Sequence, residues 1–231
     1  MINNFQNFVD VLRGKRKCFR QMMSDNDIRI DKSNLKHIDL NIQGKNNTII
    51  IEGKVNAAKH SKIIIEILGD NNSFIIKEGF YLVDKMNIMI PAGVTNSRFF
   101  IDEGTSVVSL SYTTINSNTY CEIGKECMFG RGVLLFNTDA HPILDINTGE
   151  VINKIRGITI KNHCWIGTEA KIMKNSIVPE DSIVGYGSVF AGEKYKDSPH
   201  CAFAGNPAKL VKENITWEKD CNKFGYVENV L

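Results

Sequence analysis

Between Ile160 and Gly192 the chain reads IKNHCWIGTEAKIMKNSIVPEDSIVGYGSVFAG, with a large apolar residue at every sixth position: Ile160, Ile166, Ile172, Val178, Val184 and Phe190. Four residues after each of the first five stands a small side chain: Cys164, Ala170, Ser176, Ser182 and Ser188. An amphipathic helix repeats at about 3.6 residues and a half-buried strand at about 2, so a period of six fits neither. A six-residue period marks a β-helix, in which short strands joined at tight corners coil into a prism. Three hexads per turn would stack Ile160 on Val178, Ile166 on Val184 and Ile172 on Phe190. The large residues then fill the interior and the small ones occupy its crowded corners. Ordinary sandwich strands seldom hold one period over such a length without slipping.

Upstream the pattern coarsens. From Leu35 to Thr105 the hexads are lost, but Glu-Gly pairs recur at Glu52, Glu78 and Glu103, each preceded by a Gly- and Asn-rich turn. Each copy reads as one coil with a small extra loop at that turn, where Gly and Asn tolerate unusual dihedrals. Alternation within 48–51 and 73–76 is poor by eye. Regular hexads begin at Ile123, Phe129 and Leu135, break over 136–157 and resume at Ile160. A loop of that length inside a compact repeat is usually functional or disordered. Phe5, Phe8, Val9, Leu12, Phe19 and Met22 fit an N-terminal amphipathic helix with a basic stretch at 13–20, which reads as a solvated face, the alternative being a grip on an anionic acceptor polymer or a membrane surface. The expected organisation is therefore all-β: a helical segment and polar linker over 1–34, a parallel β-helix over 35–212, and a C-terminal cap over 213–231. After Gly192 the chain is expected to leave the prism, and the cap to pack over the last coil, since an open strand edge invites aggregation.

A formal charge of +2 over 231 residues is too small to argue for nucleic acid as a partner. Six cysteines stand at irregular spacings with no Cys-x-x-Cys pair. No signal peptide or long apolar run appears, which predicts no stable membrane insertion and a reducing, cytoplasmic setting with free thiols.

Four stretches carry a resemblance: EIGKECMFGRGVLLF at 122–136, DAHPI at 139–143, WIGTEAKI at 165–172 and AGNPAKLVK at 204–212. In order and spacing they resemble the hexapeptide-repeat acyltransferases, in particular O-acetyltransferases of sugars and surface polysaccharides such as the maltose, galactoside and polysialic acid enzymes. The resemblance covers about the last half of the chain. It implies a left-handed coil, against the usual right-handed crossover rule. It also implies a homotrimer with sites between subunits, acetyl-CoA as cosubstrate, no metal, and a sugar or polysaccharide acceptor, anionic ones included, in a capsule, O-antigen or sialic acid polymer.

Acetyl transfer from a thioester to a hydroxyl needs a base, and histidine suits that task near neutral pH. His141 of DAHPI aligns with the family's catalytic histidine. Asp139 could orient its imidazole or merely cap the turn. Trp165 resembles the aromatic beside that histidine, and a tryptophan at a prism corner must point outward. Backbone amides from Trp165 to Thr168 are the expected oxyanion donors. Thr168, Tyr186, Gly187, Ala191 and Gly192 fall where the family binds coenzyme A. Tyr186 departs from the small residue usual there, and Ala191-Gly192 from the usual Thr-Lys. Lys209 and Lys212 would meet the cofactor phosphates as point charges. Cys127 and Cys164 read as core residues rather than nucleophiles. A zinc hydrolase built on His163 and His200 needs three converging imidazoles, and His200 is expected to lie beyond the prism. The alternatives are an N-acetyltransferase of an amino sugar or nucleotide sugar, an antibiotic acetyltransferase, and a noncatalytic β-helix scaffold.

Overall fold

The hexad columns are the columns of the fold: Ile160 pairs with Val178, Ile166 with Val184 and Ile172 with Phe190, all in parallel register. The computed structural model describes residues 24–223, which wind into a three-walled parallel β-helix. The first wall stacks β1 (Asp27–Ile30), β3 (Thr48–Ile51), β6 (Ser73–Ile76), β8 (Arg98–Ile101), β10 (Tyr120–Ile123), β13 (Gly157–Ile160) and β16 (Ile177–Val178). The second holds β4 (Asn56–Ala57), β11 (Met128–Phe129), β14 (Trp165–Ile166), β17 (Ile183–Val184) and β19 (Ala202–Ala204), ending in the antiparallel β20 (Lys209–Lys212). The third holds β2 (Ile38–Ile42), β5 (Lys62–Ile67), β12 (Val133–Phe136), β15 (Lys171–Met173) and β18 (Val189–Phe190). Two long strands, β7 (Tyr81–Ile90) and β9 (Ser106–Thr113), bend from the second wall into the third.

Interior columns run the length of the prism. Ile101, Ile123, Ile160 and Val178 form one, and Val107, Phe129, Ile166, Val184 and Phe203 another, all buried. The small hexad residues Cys164, Ala170, Ser176, Ser182 and Ser188 are buried as expected. Each coil covers its neighbour's apolar surface, so no coil needs a core of its own.

The corner between the third and first walls explains the Asn-rich turns. Asn46, Asn71, Asn96 and Asn118 all adopt left-handed φ of 55–57°, a region asparagine tolerates. The next residue in each of the first two turns joins a buried ladder. Asn47 Oδ1 accepts from the Asn72 N–H at 2.8 Å, and Asn72 Oδ1 from the Ser97 N–H at 2.9 Å. Their amide nitrogens donate to the carbonyls of Gly69 and Val94, both at 3.0 Å. Coils touch so closely there that a Cβ on Gly69 would sit 1.9 Å from Val94 O.

Four expectations change. Asp27–Ile30 pairs with Thr48–Ile51, so the coil begins inside the stretch assigned to the linker. The first-wall strands β3, β6, β8 and β10 do alternate buried and half-exposed positions. Their pattern was hidden because outward positions such as Ile50, Ile75 and Phe100 are apolar too. The chain does not leave the prism at Gly192, since Ala202 and Phe203 pair in parallel with Ile183 and Val184. Finally, the open end is closed by Phe190, Tyr195 and Phe203, with ring centroids 5.0–5.3 Å apart, and by the β19–β20 hairpin. Residues 213–223 instead run along the side of the prism, where Lys219 Nζ reaches Gly104 O at 2.8 Å. The N-terminal helix and the basic 13–20 stretch lie outside the described residues.

Candidate functional site

The 136–157 insertion leaves the corner between the third and first walls, carrying His141. The following coil holds it at both ends. Lys174 Nζ lies 3.0 Å from Asp139 Oδ2 at the loop's start. Asn175 accepts from Arg156 N–H at 2.7 Å and donates to Lys154 O at 2.8 Å at its end. Asn153 crosses the base of the loop, donating to Asp139 Oδ2 at 2.7 Å and to His141 O at 2.9 Å. Ala140 takes a left-handed φ of 63° and His141 N–H donates to Asp139 O at 2.7 Å, a tight turn with a strained alanine. The His141 side chain is exposed and its imidazole has no hydrogen bond among the described residues. Asp139 therefore anchors the loop and does not orient the imidazole. Burial pushes the Asp139 carboxyl up, but Lys174 and Asn153 outweigh it and hold it below the ordinary carboxylate value. Beyond His141 the insertion folds back on itself through the Leu144–Val151 bridge, exposing Ile143, Leu144, Ile146 and Ile152.

Trp165 opens the second wall and does point outward, 38% exposed. It lies one corner and one wall away from the His141 loop, so a single chain does not bring the two together. At the corner between the second and third walls, Thr168 sits against Gly130, where a Cβ would approach Thr168 N to 2.5 Å. Of the amides expected to face an oxyanion, that of Trp165 is spent on Ser182 O at 2.8 Å and that of Gly167 on Val184 O at 2.7 Å. The Thr168 N–H has no partner among the described residues. Gly187 N–H donates to Thr168 O at 2.9 Å, placing Gly187 and Tyr186 on the next coil of the same corner. The Tyr186 ring is exposed and its hydroxyl donates to Glu169 Oε2 at 3.0 Å, a bond that raises the phenol's pKa. Lys209 and Lys212 are exposed on β20, beyond the last coil of the second wall, and make no ion pair among the described residues. Ala191 and Gly192 stand apart, at the corner after the third wall, where Gly192 N–H donates to Ser176 Oγ at 3.2 Å. The structure does not bring them to Thr168, Tyr186 and Gly187.

Cys127 and Cys164 are fully buried, and burial pushes the Cys164 thiol well above its ordinary pKa. This is core chemistry. His200 does not lie beyond the prism: it shares a corner with His163, and both Nδ1 atoms face the Asp181 carboxylate, at 2.7 and 2.6 Å. Trp217, expected with the cap over the last coil, instead stacks on His163 at 4.4 Å and lies 6.1 Å from Trp165. Sequence reasoning missed Asn153 and Lys174. A shallow cleft on the first wall, lined by Arg98, Asp102, Glu122 and Lys161 among others, contains none of the expected site residues.

No family model matches the chain. A polysialic acid O-acetyltransferase of Escherichia coli O1:K1 / APEC is 34% identical over 115 residues, covering 49% of this chain and 36% of that protein. One from Neisseria meningitidis is 33% identical over 104 residues, covering 45% and 47% respectively. The chain thus spans less than half the length of these curated relatives. The crystal structure of the polySia-specific acetyltransferase NeuO superposes with a TM-score of 0.63 at 23% identity, over 80% of this chain and 90% of that one. That of the polysialic acid O-acetyltransferase OatWY gives 0.54 at 29% identity, over 78% and 90%. The fold is the left-handed parallel β-helix of these neighbours. The likenesses support the hexapeptide-repeat O-acetyltransferase family.

Proposed function

We propose that the protein is an acetyl-CoA-dependent O-acetyltransferase acting on a sugar hydroxyl of a surface polysaccharide. Two observations carry the reading: an imidazole without a hydrogen bond on a loop pinned at both ends, and a Thr168 amide without a partner, both among the described residues. These are the two groups that attack on a thioester needs. Acetyl-CoA would supply the activated acetyl group. The corner at Thr168, Tyr186 and Gly187 offers it a close approach to backbone, and Lys209 and Lys212 two exposed ammonium groups. His141 would take the proton of the acceptor hydroxyl, whose oxygen attacks the thioester carbonyl, while Thr168 N–H receives the developing oxyanion. The imidazolium then returns the proton to the departing thiolate, so no covalent enzyme intermediate is required.

Because His141 and Trp165 stand on different corners, the reading needs a second copy of the chain. A three-fold assembly that lays the 136–157 loop of one copy on the second wall of the next covers the exposed Ile143, Leu144, Ile146 and Ile152. It also joins His141 to Trp165 and Thr168 across the interface. Localisation in the cytoplasm belongs to the same proposal, since acetyl-CoA is made there. Among the described residues no helix is long and apolar enough to cross a membrane.

The test is transfer of labelled acetyl from acetyl-CoA to a panel of bacterial polysaccharides and their oligosaccharides, with the product treated in mild base. An ester is cleaved and an amide survives, so label lost to base supports O-acetylation. Label retained would turn the reading to an N-acetyltransferase. Binding of coenzyme A without transfer to any glycan would contradict it.

A further inference from the structure

The corner between the first and second walls carries glycine in earlier coils, at Gly79 and Gly104, both with positive φ. The four coils nearer the C-terminus keep full side chains in that same left-handed backbone: Glu126 at 56°, His163 at 52°, Asp181 at 52° and His200 at 57°. Ordinary residues adopt that conformation at a conformational cost. The last three of these coils hold the chain's own C-terminal strap. Ile215 N–H donates to His200 O at 3.0 Å, and Thr216 Oγ1 donates to Asp181 Oδ1 at 2.7 Å. Trp217 Nε1–H donates to His163 O at 2.7 Å, its ring lying flat on the imidazole with an interplanar angle of 10°. Lys219 extends the same line to Gly104. The strap thus descends the corner coil by coil, against chain direction.

The strap adds nothing to the prism interior, which the three walls already close. Its one buried residue among 213–223 is Trp217, 8% exposed, wedged between His163 and the inner edge of Trp165. A site side chain on a two-residue strand needs neighbours that lock its rotamer, and a second indole at 6.1 Å, tilted by 44°, is such a neighbour. We propose that Trp217 is a positioning residue for Trp165, seated by the His163–Asp181–His200 column through the strap at 214–219. The proposal rests on the reading of Trp165 as a site residue. Asp181 is the clamp's centre. His163 faces it from the preceding coil, His200 from the following one and Thr216 from the strap, while the buried Cys164 thiol lies within its field. Burial alone would push the Asp181 carboxyl up, yet its hydrogen bonds with Thr216 and His163 outweigh this and keep it ionised.

The chain has two tryptophans, so spectroscopy reads the pair directly. Two indoles this close give an exciton couplet in far-ultraviolet circular dichroism, from the intense indole transition there, which either single replacement should abolish. In Trp165→Phe the sole emitter is Trp217. Its emission should be that of a buried indole, and His163→Ala, which removes the stacked ring, should shift it to the red. Kinetically, Trp217→Ala should lower kcat/KM for the acceptor by about tenfold, leave coenzyme A affinity unchanged, and be largely rescued by Trp217→Phe. If Trp217→Ala does not fold, Asp181→Asn makes the same comparison, with a weakened couplet and a severalfold loss expected. The proposal is overturned by a wild-type protein without the couplet, by Trp217 emission at the wavelength of an exposed indole, or by a folded Trp217→Ala within twofold of wild type. A wild-type protein that transfers no acetyl group overturns the function reading instead, and the couplet in the same sample still decides whether Trp217 is seated against Trp165.

Discussion

His141 is held by its backbone while its imidazole makes no hydrogen bond among the described residues, and Asp139 is the reverse, its carboxylate employed in the loop anchor. The two residues therefore respond differently to change. His141→Asn keeps size and polarity but cannot accept a proton, so turnover should fall by roughly 10²–10⁴-fold with coenzyme A affinity and Tm unchanged. Wild-type kcat/KM should rise with pH through one ionisation, because only neutral imidazole is a base. A variant with near wild-type turnover on the true acceptor removes His141 from the chemistry. For Asp139 the sign is opposite. Its folded pKa lies below the unfolded value, so its contribution is present above about pH 4, the ordinary carboxylate range. That contribution is lost as pH falls through the depressed folded value. Asp139→Asn should then loosen the loop at every pH above that range. Hydrogen exchange of residues 139–156 would show this as faster exchange in Asp139→Asn than in wild type at pH 7, and equal rates would deny the anchor.

At the level of strands and corners, legibility followed coil length. From Thr159 to Ile177 a coil takes eighteen residues, three hexads without inserts, and the columns could be read directly. From Thr48 to Ser73 and from Ser73 to Arg98 it takes twenty-five, because the third-wall strands are longer and the Asn turns add residues, so the hexad is lost. His141 and Trp165 were legible as motifs. Their separation was not, since it depends on which corner the 136–157 insertion interrupts. Trp217 was legible as a packing aromatic but not its place beside Trp165: its bond to His163 spans 54 residues and belongs to no period. The Asn ladder was visible only as turn composition, yet it is a stability element. Asn72→Ala would leave the Ser97 N–H and Val94 C=O buried without partners, a loss of about 3 kcal/mol from two such groups. Chemical denaturation checks this, and a midpoint close to wild type would mean that water replaces the amide.

For the molecule as a whole, coenzyme A should depend on β20, because its two lysines are exposed and unpaired among the described residues. Lys209→Ala with Lys212→Ala should weaken coenzyme A binding, and the deficit should shrink at high salt as phosphate contacts are screened. Unchanged calorimetric affinity would take them out of the site. The central claim is larger: a complete site draws His141 from one copy and Trp165 from its neighbour. Co-assembling His141→Asn with Trp165→Ala, each inactive alone, tests it most directly. In randomly mixed trimers each interface has about one chance in four of pairing an intact His141 with an intact Trp165, so about a quarter of wild-type activity should return. Mixed assemblies no more active than the two variants measured separately would place both residues in one chain's site and contradict the account.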